Sequence, residues 1–202
     1  AIELAGPDAI GQALRGFQNG LPGPVIARNI RDSIGLTRQM GEAVRNFRQQ
    51  LQTGSMGTGT APGDRRLSAT ERAQARSIFN NGGERSARVD ALVERYSQSL
   101  LNRRSNNIAR TESHRAFVEG QQELWNQAQQ RGLLDPTVTR RIWVVTPDDR
   151  LRPEHAAIPG MNSGGVGFNQ PFNTPFGLVS GPGSGNPNLI NCRCTVALEI
   201  DE

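Results

Sequence analysis

Hydrophobic residues recur every three or four positions over much of the first 130 residues of this chain, which is the period of an amphipathic helix. The first apolar positions are Val25, Ile26, Ile30 and Ile34, followed by Met40, Val44, Phe47 and Leu51. Gly35 separates the two groups, Thr37 is a suitable N-cap, and Gly54 follows the last apolar position. The pattern predicts a helix from Val25 and a second one from Thr37 to Gly54.

Further helices are predicted between residues 68 and 131. Ser68-Ala69-Thr70-Glu71 fits a capping box, and Asn81-Gly82-Gly83 ends the short helix that follows. Residues 84–131 contain no proline, and their apolar stripe comprises Val89, Leu92, Val93, Tyr96, Leu100, Ile108, Phe117, Leu124 and Ala128. Because this segment is long for one globular helix, we expect a break near Ser105-Asn106-Asn107 rather than a single helix packed along a neighbour.

The segments that flank these helices lack a helical period. Residues 1–24 are interrupted by glycine and proline, and they begin at Ala1 rather than methionine. We therefore expect an extended N-terminal arm, with at most one short turn, on a piece of a longer protein or on a processed product. Residues 54–67 are rich in glycine, threonine and serine, which predicts a flexible loop within a helical body at 25–132.

After Gly132 the pattern becomes that of a small α+β module over residues 133–202. The segment "TRRIWVVT" predicts a strand, and Pro153 at N1 predicts one helical turn near residue 155. Residues 159–188 are rich in glycine and proline and predict a long irregular loop. The terminal "CRCTVALEI" predicts a strand that pairs with residues 141–146. The expected fold class is α+β and mainly helical.

Composition adds a charge asymmetry to this picture. All 23 basic residues are arginines, with 20 of them and 13 acidic residues in positions 1–142, against three and six in positions 143–202. A basic helical half is typical of proteins that lie near nucleic acid or an acidic protein surface. Arginines spread along solvated helix faces, in a GC-rich genome, explain the same numbers. No apolar run approaches the ~18–20 residues of a membrane helix.

Candidate chemistry is concentrated in Asn191-Cys192-Arg193-Cys194, which holds both cysteines. In an extended strand, residues two apart face the same side. With His155, and with His114 or Asp149 as a fourth ligand, the thiols could bind zinc. The alternative is a pair of buried thiols that pack the strand against the module. A disulfide between them would be strained, and a catalytic thiol would lack a convincing base.

Two other polar groups allow both a chemical and a structural interpretation. The residues from Asp148 to His155 include two aspartates, two arginines and a glutamate, which could support metal or hydrolytic chemistry or satisfy loop backbone groups. Glu112 lies three residues before Arg115 on a predicted helix, so the two can pair. We favour an ion-pair latch between this helix and the module over a catalytic Arg/Glu pair.

Three segments in this order resemble the phage Mu F-like minor head proteins, also called head morphogenesis proteins. "IARTESHRAFVEGQQELW" resembles the family's Ala-Arg-Thr-Glu helix, and "LINCRCTVAL" resembles its closing Asn-Cys-Arg-Cys signature. "RRIWVVTPDDRLRPEHAAIPG" resembles its tryptophan strand, acidic turn and Arg-x-Arg-x-x-His block. The resemblance covers residues 85–200 and, more loosely, residues 25–55. The motif positions it carries over are Arg110, Thr111, Glu112, Trp143, Asp149, Arg150, Arg152, His155, Gly160, Asn191, Cys192, Arg193 and Cys194.

The resemblance implies a non-enzymatic structural protein of a tailed-phage virion. Such a protein would associate with the portal or the inner capsid, in several copies of a symmetric assembly, after assembling in the host cytoplasm. It would be needed for head assembly or DNA delivery, and packaged DNA would be a further partner. Two rivals remain open from the residues alone: a metal-dependent nuclease or transferase built on His155, Cys192 and Cys194, and an arginine-rich DNA-binding module.

Overall fold

The computed structural model describes residues 7–55 and 67–200 and shows a mainly helical α+β protein, as predicted. The helices are α1 (Pro7–Gln18), α2 (Gly23–Arg31), α3 (Arg38–Thr53), α4 (Ala69–Asn80), α5 (Ala87–Gln130), α6 (Pro153–Ala156) and α7 (Ile158–Met161). The strands are β1 (Thr139–Val144), β2 (Val166–Gly167), β3 (Phe172–Thr174), β4 (Gly177–Val179) and β5 (Thr195–Ile200).

The chain divides into two compact units. The helical unit contains residues 24–106 and residues of the N-terminal segment up to 12, and the C-terminal unit contains residues 13–23 and those from 107 onward. The division falls inside α5, whereas the sequence placed the start of the C-terminal module at residue 133. Within the described ranges, no helix is both long enough and apolar enough to span a bilayer.

The N-terminal segment corrects the prediction of an extended arm over residues 1–24. Residues 7–18 form α1, in which Ala9 and Ala13 are both 1% exposed. These two alanines lie one helical turn apart, and Asp8 occupies the first turn, where a negative charge favours the helix. The helix was missed because its buried positions are small side chains rather than a stripe of large ones.

The predicted ends of α3 and α4 are confirmed. The Thr37 hydroxyl accepts a hydrogen bond from the Met40 amide at 3.2 Å, and Gly54 ends α3 in the left-handed conformation. Ser68 and Glu71 form the predicted capping box of α4. Residues 56–66, most of the predicted flexible loop, lie outside the described residues. The buried core of this unit consists of Phe47, Leu51, Leu67, Ala75, Ile78, Val89, Leu92, Val93, Tyr96 and Leu100.

The ends of α3 and α4 meet backbone to backbone, which requires glycine. The Glu84 amide donates to the Leu51 carbonyl at 2.9 Å. A Cβ atom on Gly83 would lie 2.5 Å from the Gly54 nitrogen, and Gly83 has a φ of +81°. The Asn81-Gly82-Gly83 segment therefore has two roles, since it follows the end of α4 and its Gly83 allows this close backbone contact.

Helix α5 is continuous over 44 residues, so the predicted break near Ser105-Asn106-Asn107 is wrong. The Ser105 hydroxyl and the side-chain amide of Asn106 both donate to the Asn102 backbone carbonyl, at 3.0 and 2.7 Å. These side chains bond to the preceding turn of their own helix, so polar residues that often end helices are accommodated here.

The second half of α5 also departs from the predicted apolar stripe. Phe117 and Leu124 are 52% and 65% exposed, and the buried apolar residue of this region is Val118. Both residues lie in the part of α5 that belongs to the C-terminal unit. A single helical stripe extrapolated from Val89 therefore fails beyond residue 109.

The C-terminal unit contains a three-stranded antiparallel sheet of order β2-β1-β5 and a β3-β4 hairpin. The predicted pairing of the two long strands is confirmed, with Thr139 opposite Ile200 and Val144 opposite Thr195. The prediction that residues 159–188 are irregular is only partly right, because β2, β3 and β4 lie there. The core of this unit consists of Trp143, Ile158, Val166, Phe172, Val179, Leu189, Cys192, Cys194 and Val196.

Candidate functional site

Cys192 and Cys194 lie in an irregular segment immediately before β5, which begins at Thr195. The prediction that they share one face of a strand is therefore wrong, because residues 192–194 do not form a strand. Both thiols are nevertheless buried, at 4% and 2% exposure, and neither forms a disulfide. The segment is held in place by the Thr146 hydroxyl, which donates to the Arg193 carbonyl at 3.0 Å.

The structure brings His155 to the two cysteines. His155 lies on the single turn α6 and is 3% exposed. Its Nδ1 atom is 3.5 Å from Cys192 Sγ and 3.6 Å from Cys194 Sγ, and its Nε2 atom is 3.1 Å from the Asn188 carbonyl oxygen. Because a carbonyl can only accept, Nε2 carries a proton in this contact, and Nδ1 is the ring atom that faces the two sulfurs.

The two cysteines do not share the same electrostatic environment. A hydrogen bond from the Cys192 side chain lowers the pKa of Cys194 to about 5, with His155 and Trp143 acting in the same direction and burial opposing them. The same hydrogen bond, together with burial, raises the pKa of Cys192. The hydrogen bond between the two cysteines therefore favours one thiolate in the pair rather than two.

Asn191 shapes the polar side of this cluster. It has a φ of +54°, and its amide donates to the Thr111 hydroxyl on α5 at 3.2 Å. Its Oδ1 atom is buried and lacks a hydrogen-bond partner among the described residues. A cavity of about 20 Å³ lies here, lined in part by Asn191, His155 and both cysteines.

The Ala-Arg-Thr-Glu helix contacts the cysteine segment, although not through the predicted ion pair. Thr111 accepts from Asn191, and His114 Nε2 lies 2.8 Å from the Cys194 carbonyl oxygen. Arg115 donates to Glu119 at 2.7 Å, rather than forming the predicted latch with Glu112. Burial raises the pKa of Glu112, and the charge of Arg115 partly offsets this.

Neither residue suggested as a fourth metal ligand joins the cluster. Within residues 7–55 and 67–200, the ligand atoms of His155, Cys192 and Cys194 lie within 4.8 Å of one another without a further His, Cys, Asp or Glu. His114 is engaged with the Cys194 carbonyl instead. Asp149 is exposed, as are Arg110, Arg150 and Gly160.

The acidic turn is tied to the cysteine segment through Asp148. Arg193 Nη2 lies 2.6 Å from Asp148 Oδ1, and this contact holds the pKa of Asp148 below its usual range. Arg152 Nη2 donates to the Ile190 carbonyl at 2.9 Å. Arg152 and His155 thus bond to loop carbonyls, which is the structural alternative considered for this block.

Sequence reasoning missed Arg141, a charged side chain of the same unit that is only 5% exposed. It donates to the Ser180 carbonyl at 2.9 Å, to Gln122 at 3.1 Å and to the Gln170 carbonyl, and its guanidinium lies 5.1 Å from the centroid of Phe172. Burial lowers its pKa. The signal was present in β1, where alternation puts Arg141 on the same face as the buried Trp143.

Comparison with known proteins gives one result. A search of curated proteins found no match, and a search of solved structures found none either. The family model described as "Phage Mu protein F like protein" matches residues 11–197. That span covers most of the chain and includes the α5 motif, the acidic turn and the cysteine segment. The chain belongs to the phage Mu protein F-like family of head morphogenesis proteins.

Proposed function

We propose that this chain is a non-enzymatic minor head protein that binds the portal or the inner capsid surface of a tailed phage through α5. Membership in a head morphogenesis family supports a role in the virion. The observation that carries the proposed contact is the pair of large apolar side chains exposed on the second half of α5.

These two side chains, Phe117 and Leu124, form what we call the apolar ridge. They lie seven residues apart, or about two turns, and therefore project from the same side of the helix. Their exposures are 52% and 65%. Large apolar side chains clustered at the surface mark protein interaction sites, and phenylalanine is enriched at interfaces. A head component that covers this ridge would bury both residues.

The positions of the motif residues support a structural role. Thr111, Asn191 and His155 face one another or the backbone of the same unit, where they hold the cysteine segment between α5 and α6. Trp143 lies in the core, packed edge-on against Phe172 at 5.2 Å between ring centroids. These four residues of the family signature therefore contribute to how this unit is built.

We do not extend the proposal to packaged DNA. Several arginines of the described ranges are paired with carboxylates, and these pairs are Arg31–Asp32, Arg38–Glu42, Arg48–Asp90, Arg95–Glu71, Arg115–Glu119 and Arg193–Asp148. Such pairing reduces the positive charge offered to phosphates. An arginine-rich composition by itself does not define a nucleic-acid surface.

The proposed contact is tested by a charge substitution on the ridge. The double variant Phe117→Glu/Leu124→Glu should lose about tenfold or more in binding to portal or capsid protein, because a hot-spot side chain typically contributes ~2 kcal/mol. The matched control is Leu178→Glu, which changes a residue of similar exposure, 68%, on β4. Binding is measured by titration of each purified head component with the folded chain.

Two outcomes would contradict the proposal. One is wild-type protein that binds neither portal nor capsid protein. The other is a double variant that binds as tightly as the wild type while circular dichroism shows the same helix content. Equal losses in the double variant and in Leu178→Glu would also reject the ridge, since the effect would then follow added charge rather than position.

A further inference from the structure

We propose that His155, Cys192 and Cys194 bind one Zn²⁺ ion, with a water molecule as the fourth ligand, and that this ion fixes the cysteine segment to α6. This inference does not depend on which head component the chain contacts. It rests on the geometry of three ligand atoms, the groups that hold them and the cavity beside them.

The distances match a tetrahedral zinc site. Zinc lies about 2.3 Å from sulfur and 2.0–2.1 Å from imidazole nitrogen, so tetrahedral ligands place each sulfur about 3.6 Å from the nitrogen. The observed separations from His155 Nδ1 are 3.5 Å to Cys192 Sγ and 3.6 Å to Cys194 Sγ. A thiol hydrogen bond explains one such distance, but a single ring lone pair cannot accept well from two thiols at once. One metal ion bonded to His155 and to both sulfurs accounts for both distances.

The surrounding hydrogen bonds are those that support metal ligands. His155 donates its other ring N–H to the Asn188 carbonyl, which fixes the tautomer with Nδ1 free. The Cys194 amide lies 3.3 Å from Cys192 Sγ and donates to it. The indole N–H of Trp143 is buried in the same core as the two cysteines. Donors of this kind stabilise thiolate sulfur.

The fourth position is assigned to water by the cavity next to the cluster. Its volume of about 20 Å³ has room for about one water molecule. The buried Oδ1 atom of Asn191 lines this cavity and has no partner among the described residues. A zinc-bound water would donate to that oxygen.

Such an ion would join two distant parts of the chain. His155 and Cys192 are 37 residues apart, and the glycine- and proline-rich segment between them carries only short helices, short strands and turns. Closing a loop of this kind through metal ligands stabilises the folded state, since the site forms only on folding. The metal would therefore add to the stability that the small hydrophobic core gives this unit.

The first test is the metal content of the wild-type chain purified under reducing conditions, measured by elemental mass spectrometry. We expect one zinc per chain, and near-complete loss of zinc in His155→Ala, Cys192→Ala and Cys194→Ala. The matched control is His114→Gln, which alters the other histidine of the chain but can still donate to the Cys194 carbonyl. It should retain one zinc per chain.

The second test uses cobalt and does not rely on variants. Co²⁺ added to zinc-depleted wild-type protein should give intense tetrahedral d–d bands and a thiolate-to-cobalt charge-transfer band. Thiocyanate should shift these bands by displacing the water ligand. A wild-type chain that holds no zinc and gives no thiolate–cobalt band would overturn the site. Bands that thiocyanate leaves unchanged would overturn the water ligand.

Discussion

Arg141 shows how one residue organises the C-terminal unit. It stands on the inward face of β1 yet carries a charge, and it holds backbone carbonyls of Gln170 and Ser180 as well as the α5 side chain of Gln122. Loop carbonyls that would be costly to bury alone thereby gain a donor. The guanidinium does this because it is planar and offers five N–H groups in fixed directions.

Replacing Arg141 by lysine should destabilise the protein although the charge is kept. An ammonium group cannot reach two carbonyls and Gln122 while stacking on Phe172, so we expect a loss of about 2–3 kcal/mol in the free energy of unfolding. Urea denaturation followed by circular dichroism measures this. The control is Arg131→Lys at an exposed position, which should change stability by less than ~0.5 kcal/mol. Equal stability of both variants would reject the role given to Arg141.

At the level of single residues, part of the candidate site could be predicted from the sequence. The grouping of His155 with the two cysteines could be inferred from residue type, and the structure brings these three side chains together. The place of Asn191 could not be inferred, because it depends on a left-handed backbone and on Thr111, 80 residues earlier. Contacts of that sequence separation are fixed by the fold and leave no local pattern.

At the scale of elements, local signals predicted helix ends better than helix continuity. Thr37, Gly54 and Ser68 act within three or four residues of themselves, so their effects are visible in the sequence. The continuity of α5 depends on how Ser105 and Asn106 orient their side chains, and that choice is not encoded by residue type alone. Helix α1 was missed for a related reason, since alanine gives a weak apolar signal.

The capping box of α4 gives a pH-dependent prediction. The Ser68 amide donates to Glu71 at 2.8 Å, and this hydrogen bond lowers the pKa of Glu71 from its usual 4.5. Stability from this carboxylate is therefore present above pH 4.5 and is lost as the pH falls through the lowered pKa. Glu71→Gln should be less stable than the wild type at pH 7, and the difference should shrink in acid.

A substitution of Ser68, the uncharged residue of the same capping box, provides the control. Ser68→Ala should cost about 1 kcal/mol, because the hydroxyl that accepts from the Glu71 amide is lost. Thermal unfolding of both variants from pH 7 down to pH 3 makes the comparison. A wild-type advantage over Glu71→Gln that stays constant over this range would contradict the assigned role of the carboxylate.

For the whole molecule, the fold class could be predicted from the sequence, but the division of the chain into two units could not. Helical period, strand alternation and the pairing of β1 with β5 are all readable from sequence. The division near residue 106 lies inside a helix that has no proline, and no glycine lies near the division, so no composition change marks it. The exposed Phe117 and Leu124 were read from sequence as core for the same reason. Their exposure is the observation on which the proposed contact with a head component rests.

The most direct measurement of the central claim is the position of this chain in the intact phage head, determined by cryo-electron microscopy of purified particles. We expect density for the chain at the portal or on the inner capsid surface, with the Phe117 and Leu124 side of α5 against a head protein. Purified heads that lack the chain, or that carry it with this side of α5 facing solvent, would contradict the proposed contact.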